Sequence, residues 1–109
     1  MAITIATAMP TSFKVELFKG LHNFTAGSTR FRMALFTAVA SGSGTYGAAT
    51  TNYSDMGSDE LATATGYSRP GELLTSVTPT ADGTTGILDF ANETWGSSSF
   101  TTCGGLIYD

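Results

Sequence analysis

The sequence predicts a mostly β protein: an antiparallel β-sandwich, jelly-roll-like in one version, with one short N-terminal helix. Three observations predict it. Apolar runs are short and are broken by Gly, Ser and Asn; Thr is the commonest residue, with Gly and Ala next; and strands do not alternate with helices as a parallel α/β sheet requires. At 109 residues the chain fits one β-rich domain, 1–109, with a single modest core. With 41% hydrophobic and 13% charged residues, it is unlike a disordered segment, and burial and backbone pairing must outweigh ion pairs in holding it together.

The helix is expected over about residues 12–21. Thr11 or Ser12 can cap it after Pro10, Phe13, Leu17 and Leu21 recur every four residues on one face, and Gly20 stands near its end. So short a helix needs a surface to lie on, and Phe18 and Phe24 would widen that contact. A strand is expected from Thr29 to Thr37, with Phe31, Met33 and Leu35 on one side and Arg30, Arg32, Ala34 and Phe36 on the other. Residues 39–60 read as a long loop rich in Gly, Ser and Thr that carries Tyr46 and Tyr53; Asp59–Ala62 could form one helical turn at its end. Asp82-Gly83 is a two-residue hairpin turn between Leu73–Pro79 and Thr84–Phe90, which sets Val77 opposite Leu88, Thr75 opposite Phe90 and Leu73 opposite Asn92. After Trp95, Phe100 to Tyr108 reads as one or two strands broken at Gly104-Gly105.

Charge is unevenly placed. Through residue 32 four cations face Glu16 alone, a balance of +3; beyond it Arg69 stands against eight acids, a balance of −7. Such a polar molecule can dock front to back on copies of itself or on a charged lattice. The acidic balance argues against nucleic acid. No Lys or Arg precedes Lys14 and the N-terminal apolar stretch is short, so neither a signal peptide nor a membrane span is expected, and the chain is expected to be made in a cytoplasm.

Each motif that could carry chemistry lacks the context the chemistry needs. Gly42-Ser43-Gly44-Thr45-Tyr46-Gly47 matches G-x-G-x-x-G, but Ala48-Ala49-Thr50-Thr51-Asn52 is a poor helix start with no βαβ unit after it, so the glycine run reads as a loop and not a dinucleotide cradle. His22 is the only histidine and Cys103 the only cysteine, which leaves no disulfide and no familiar metal set. Asp59-Glu60 point to opposite faces if extended, and Asp89 and Glu93 straddle a bend, so neither pair specifies an acid–base dyad. Sequons at Asn23, Asn52 and Asn92 carry little weight without a secretion signal. The expectation is a protein that is not an enzyme and uses no cofactor and no metal.

The stretch Lys14-Val15-Glu16-Leu17-Phe18-Lys19-Gly20-Leu21-His22-Asn23-Phe24, with Phe31-Arg32-Met33-Ala34-Leu35-Phe36 after it, resembles a family of small structural proteins of tailed-bacteriophage virions. Their pattern is a K-x-x-L-x-x-G-x-H-x-F helix and an F-K-x-A-L-Y strand; this chain has Arg32 in place of Lys and Phe36 in place of Tyr. The likeness continues through Thr65-Gly66-Tyr67, Leu73-Leu74, Thr78-Pro79-Thr80, Gly83-Thr84-Thr85, Leu88-Asp89-Phe90, Trp95 and Gly105-Leu106-Ile107-Tyr108. It implies a virion component without catalytic residues. Similar chains continue past the last strand, so the sheet here is expected to be shortened or completed by a strand from a neighbour.

The leading expectation is therefore a capsid decoration or cement protein, homo-oligomeric, bound to phage capsid or tail proteins and contacting neither nucleic acid nor membrane. Candidate assembly contacts are Arg30, Arg32, Tyr46, Tyr53, Leu106 and Tyr108. A tail or fibre component touching the host surface through the tyrosine loop is the second reading, and a carbohydrate-binding sandwich using Trp95 the third.

Overall fold

In the computed structural model, which describes residues 2–25, 30–63 and 66–109, the chain is organised around one strand buried on both faces. The predicted strand start at Thr29, and Thr65 of the second-half motif, lie outside the described residues. Along the described residues the helix and strands run in the order β1 (Thr4–Ile5), α1 (Thr11–Phe18), β2 (Arg32–Leu35), β3 (Thr45–Tyr46), β4 (Glu72–Leu73), β5 (Ser76–Asp82), β6 (Thr85–Phe90) and β7 (Gly105–Tyr108). Short 3₁₀ segments span Val39–Ser41 and Tyr53–Asp59. The described residues are mostly strand and coil, the two larger sheets are antiparallel, and none among them closes into a barrel.

β2 is the centre of a β4-β2-β7 sheet, antiparallel on both sides, with Arg32 opposite Leu73 and Met33 opposite Ile107. Its alternation sorts side chains into two clusters. Ala34 and the adjoining Phe36 pack with Ile3, Tyr46 and Met56, whereas Leu35 packs with Leu61 and Tyr67, flanked by Met33, Trp95 and Phe100. Burying side chains such as Phe36 and Leu35 contributes about 1.5–3 kcal/mol each.

The stretch expected to be a loop, residues 39–60, is structured by that first cluster. β3 pairs in parallel with β1, Thr4 against Thr45 and Ile5 against Tyr46, and Tyr46 and Met56 are buried. The apolar residues of a Gly-rich stretch are drawn inward because Ile3 and Phe36 present a surface for them. No helical turn forms at Asp59–Ala62: Glu60 is extended and bridges Phe36.

α1 ends three residues earlier than the periodicity predicts. Gly20 takes φ +73, Leu21 N–H donates to Glu16 O (3.1 Å) and Gly20 N–H to Leu17 O (3.0 Å), a Schellman stop that needs a residue free to adopt a left-handed conformation. The helix is not clasped over a sheet. It has no buried residue, no side-chain cap, and Phe18 is 93% exposed.

The hairpin forms with its turn one residue later than Asp82-Gly83. Asp82 pairs with Thr85 across Gly83-Thr84, and Gly83 has φ +63, the conformation that the first central position of a primed turn demands. The predicted pairs of Val77 with Leu88 and Thr75 with Phe90 are replaced by Val77 with Asp89 and Ser76 with Phe90. A bulge absorbs the difference, setting Thr78 and Pro79 against Leu88, where proline has no N–H to lose from the ladder.

Candidate assembly surface

Two buried carboxylates hold the 39–69 region in place. Asp59 accepts hydrogen bonds from the Tyr46 hydroxyl (2.6 Å) and from the N–H groups of Ser43 (3.1 Å) and Gly44 (2.8 Å). The Tyr46 hydroxyl, then the two backbone donors, hold the Asp59 carboxyl below the usual carboxylate range against an opposing desolvation. Burial, then the bond to Asp59, pushes Tyr46 up to about 12. Backbone N–H groups of a glycine loop are an anion cradle by nature; here the anion is the protein's own. Side chains at Gly42 or Gly44 would overlap Asp59 itself. The stretch Gly42–Gly47, expected to be a loop, runs into β3, with the N–H groups of Ser43 and Gly44 committed to Asp59 and that of Gly47 to Thr50 Oγ1 (2.9 Å).

Glu60, extended just after the 3₁₀ segment that ends at Asp59, points elsewhere. It accepts from the Tyr53 and Tyr67 hydroxyls, the latter at 2.7 Å, and lies 3.8 Å from the Arg69 guanidinium, which also donates to the carbonyls of Glu60 (2.7 Å) and Leu61 (3.0 Å). Tyr53 is pushed up to about 12, by burial and then by Glu60; Tyr67 is raised for the same two reasons. The Asp59 and Glu60 carboxylates are therefore bound to separate donor sets rather than to one another. Sequence reasoning weighed Glu60 only as half of an Asp59-Glu60 dyad, which it set aside, and gave Tyr67 and Arg69 no part in a site, because their partners are set by packing, not by spacing.

The six candidate contact residues fall in different environments. Tyr46 is buried, and Tyr53 is half-buried, stacked on Tyr108 with centroids 4.4 Å apart. Tyr108 itself is half-buried and donates to Pro70 O (2.7 Å). Leu106 is half-buried against the Phe36 cluster. Arg32 is half-buried and donates to Gly71 O (3.1 Å), while the exposed Arg30 grips Asp109 through two nitrogens (2.9 and 2.6 Å). Asp109 also meets His22 Nδ1 at 2.6 Å, and the His22 ring stacks on Phe13 with centroids 4.7 Å apart. Trp95 lies half-buried beside the Leu35 cluster with its indole N–H unpartnered. Cys103 packs half-buried on the other cluster.

What the fold leaves uncovered lies mainly along β7 and the β5–β6 hairpin. β7 is an edge strand, paired only with β2 among the described residues, and Ile107 is 49% exposed. A groove of about 770 Å³ runs beside it, lined by Phe13, Phe24, Phe31, Leu88, Phe90 and Leu106 among others. Comparison with protein-family models, curated proteins and solved structures finds no match to this chain. Every residue of the hairpin from Val77 through Asp89 is exposed, with Val77, Ile87 and Leu88 each more than two-fifths so. A lone two-stranded hairpin is marginal in water. No helix among the described residues is long and apolar enough to cross a membrane, and none of their His, Cys, Asp and Glu groups gathers three or more ligands for a metal ion.

Proposed function

We propose that this protein is a structural component of a tailed-bacteriophage virion, a decoration or cement protein that binds the capsid shell and stabilises it. The observation that carries the reading is the β5–β6 hairpin, whose apolar residues Val77, Ile87 and Leu88 stand in solvent. An exposed hairpin beside an unpaired strand edge gains its missing burial when another chain covers it. The likeness of the Lys14–Phe24 and Phe31–Phe36 stretches to small virion proteins supports the particle as the setting. In that setting the short antiparallel sheets act as layers of a β-sandwich, jelly-roll-like in outline, completed by neighbouring chains.

The test is position. Electron imaging of virions labelled with an antibody to this chain is expected to show many copies spread over the head, and purified protein is expected to bind empty shells. A few copies confined to the tail tip would replace the proposal with the host-contacting tail reading.

A further inference from the structure

Two elements of this chain bury nothing on their outer faces, and their chemistries are complementary. On α1 the residues divide by face: Ser12, Phe13, Glu16 and Leu17 are half-buried, while Lys14, Val15, Phe18 and Lys19 are exposed. At 100° per residue those four span one arc in the order Lys14, Phe18, Val15, Lys19, an apolar centre flanked by a cation on each side. Neither lysine makes an ion pair or side-chain hydrogen bond among the described residues.

The hairpin carries the converse pattern. Val77 pairs with Asp89, Thr80 with Ile87 and Asp82 with Thr85, and cross-strand partners share a face. Ile87 and Asp89, two residues apart on β6, lie on that same face. One side of the hairpin therefore shows Val77 and Ile87 on opposite strands, with Asp89 directly across from Val77 and Asp82 toward the turn beyond Ile87, and neither acid meets a cation among the described residues. Its other side, with Leu88 and Phe90, turns to the groove.

We propose that a second copy of this chain covers both faces: the Val77/Ile87 face of one copy's hairpin lies on the Val15/Phe18 face of the next copy's α1, with Asp82 and Asp89 meeting Lys14 and Lys19. This deepens the assembly reading above and rests on it for its setting, though not on the identity of the particle. The contact joins different surfaces on the two copies, so it propagates head to tail and closes into a ring if the rotation allows. Each patch is small, so a single contact is weak and concentration-dependent, and many copies held side by side gain from acting together.

Sedimentation of the full chain tests it. The average mass of the wild type is expected to rise with concentration in low salt and to fall back in about 1 M salt, where screening acts within ~3 Å. Lys14→Glu with Lys19→Glu, and separately Asp82→Lys with Asp89→Lys, each place like charges across the contact and are expected to weaken association at least about tenfold. An equimolar mixture of the two double variants faces opposite charges at every mixed contact and is expected to regain association. Circular dichroism confirms that each variant is folded. A wild type that stays monomeric at all concentrations, or a mixture that stays monomeric while both variants are folded, overturns the proposal. Shell binding separates the two readings. A chain that binds empty shells but never self-associates overturns this contact alone, whereas restored association without shell binding supports the contact and overturns the decoration reading.

Discussion

Replacing Tyr67 with Phe removes one oxygen from the centre of the molecule and is expected to be among the costliest conservative changes. Tyr67 is 1% exposed, and its hydroxyl donates to Glu60 Oε2 at 2.7 Å while accepting from Leu35 N–H at 3.1 Å. The second bond is structural in a particular way. Phe36 N–H bonds Gly104 O on the β7 side, and Leu35 O takes Leu61 N–H on the opposite side, where β4 has already ended. The tyrosine hydroxyl therefore substitutes for a strand carbonyl at the open end of the β2 ladder. Tyr67→Phe leaves a buried N–H unpaired, at about 1–3 kcal/mol, and removes a bond to a charged group worth about 1.5–3 kcal/mol. Glu60 retains Tyr53 and Arg69, so a net loss of about 3 kcal/mol is expected, at the lower end of the combined range. For a domain of this size that is a fall of roughly 10 °C in melting temperature. Urea unfolding followed by circular dichroism measures it, with Tyr53→Phe as the half-buried comparison, expected to cost about 1 kcal/mol. A Tyr67→Phe midpoint within about 0.5 kcal/mol of wild type would refute the view that this hydroxyl completes the sheet.

The same geometry sets the outcome of other perturbations. Gly44→Ala would drive a methyl into Asp59 and Tyr46 and is expected to destabilise by about 1–3 kcal/mol, whereas at Gly47, where the nearest atom is the Ala6 Cβ at 3.4 Å, alanine is expected to be tolerated; thermal melts of the two compare directly. Alkaline titration should show stability intact below pH 10 and falling between pH 10 and about 12, because Tyr46 and Tyr53 have raised pKa values when folded and their ionisation is disfavoured there. At the acid end the sign reverses: the lowered Asp59 pKa contributes stability above the ordinary carboxylate range that is lost as pH falls below it, an acid limb that Asp59→Asn should flatten. Phe18→Ser and Ile87→Thr are expected to change monomer stability by less than about 0.5 kcal/mol in dilute protein while weakening self-association in sedimentation.

Elements with a local signature were legible in the sequence. Alternation around Phe31–Phe36 marked β2, Gly20 marked the end of the helix, and the polar turn near Gly83 marked a hairpin, through side-chain period, a left-handed residue and a primed turn respectively. Hairpin register was out of reach, since Pro79 takes part in a bulge and the turn follows Gly83's φ rather than the Asp-Gly pair. The exposed side chain of Phe18 was equally hidden, since a helical period says which residues share a face but not whether anything covers it. Tyr46 and Tyr53 were read as loop tyrosines and are instead tied to Asp59 and Glu60, whose positions depend on how β3 and the Tyr53–Asp59 segment fold back onto β2.

By itself, then, the sequence determined that this is a β-rich chain with a short helix after Pro10, an acidic second half and a hairpin near Gly83, since composition, periodicity and turn chemistry are properties of neighbouring residues. Only the tertiary structure decided that the glycine loop wraps Asp59, that Tyr67 finishes the β2 ladder, and that the outward faces of α1 and the hairpin are left exposed, each combining apolar residues with charges of opposite sign. Those depend on contacts between residues far apart in the chain, and burial, which sets both the worth of a hydrogen bond and the exposure of an apolar face, exists only once the chain has closed on itself.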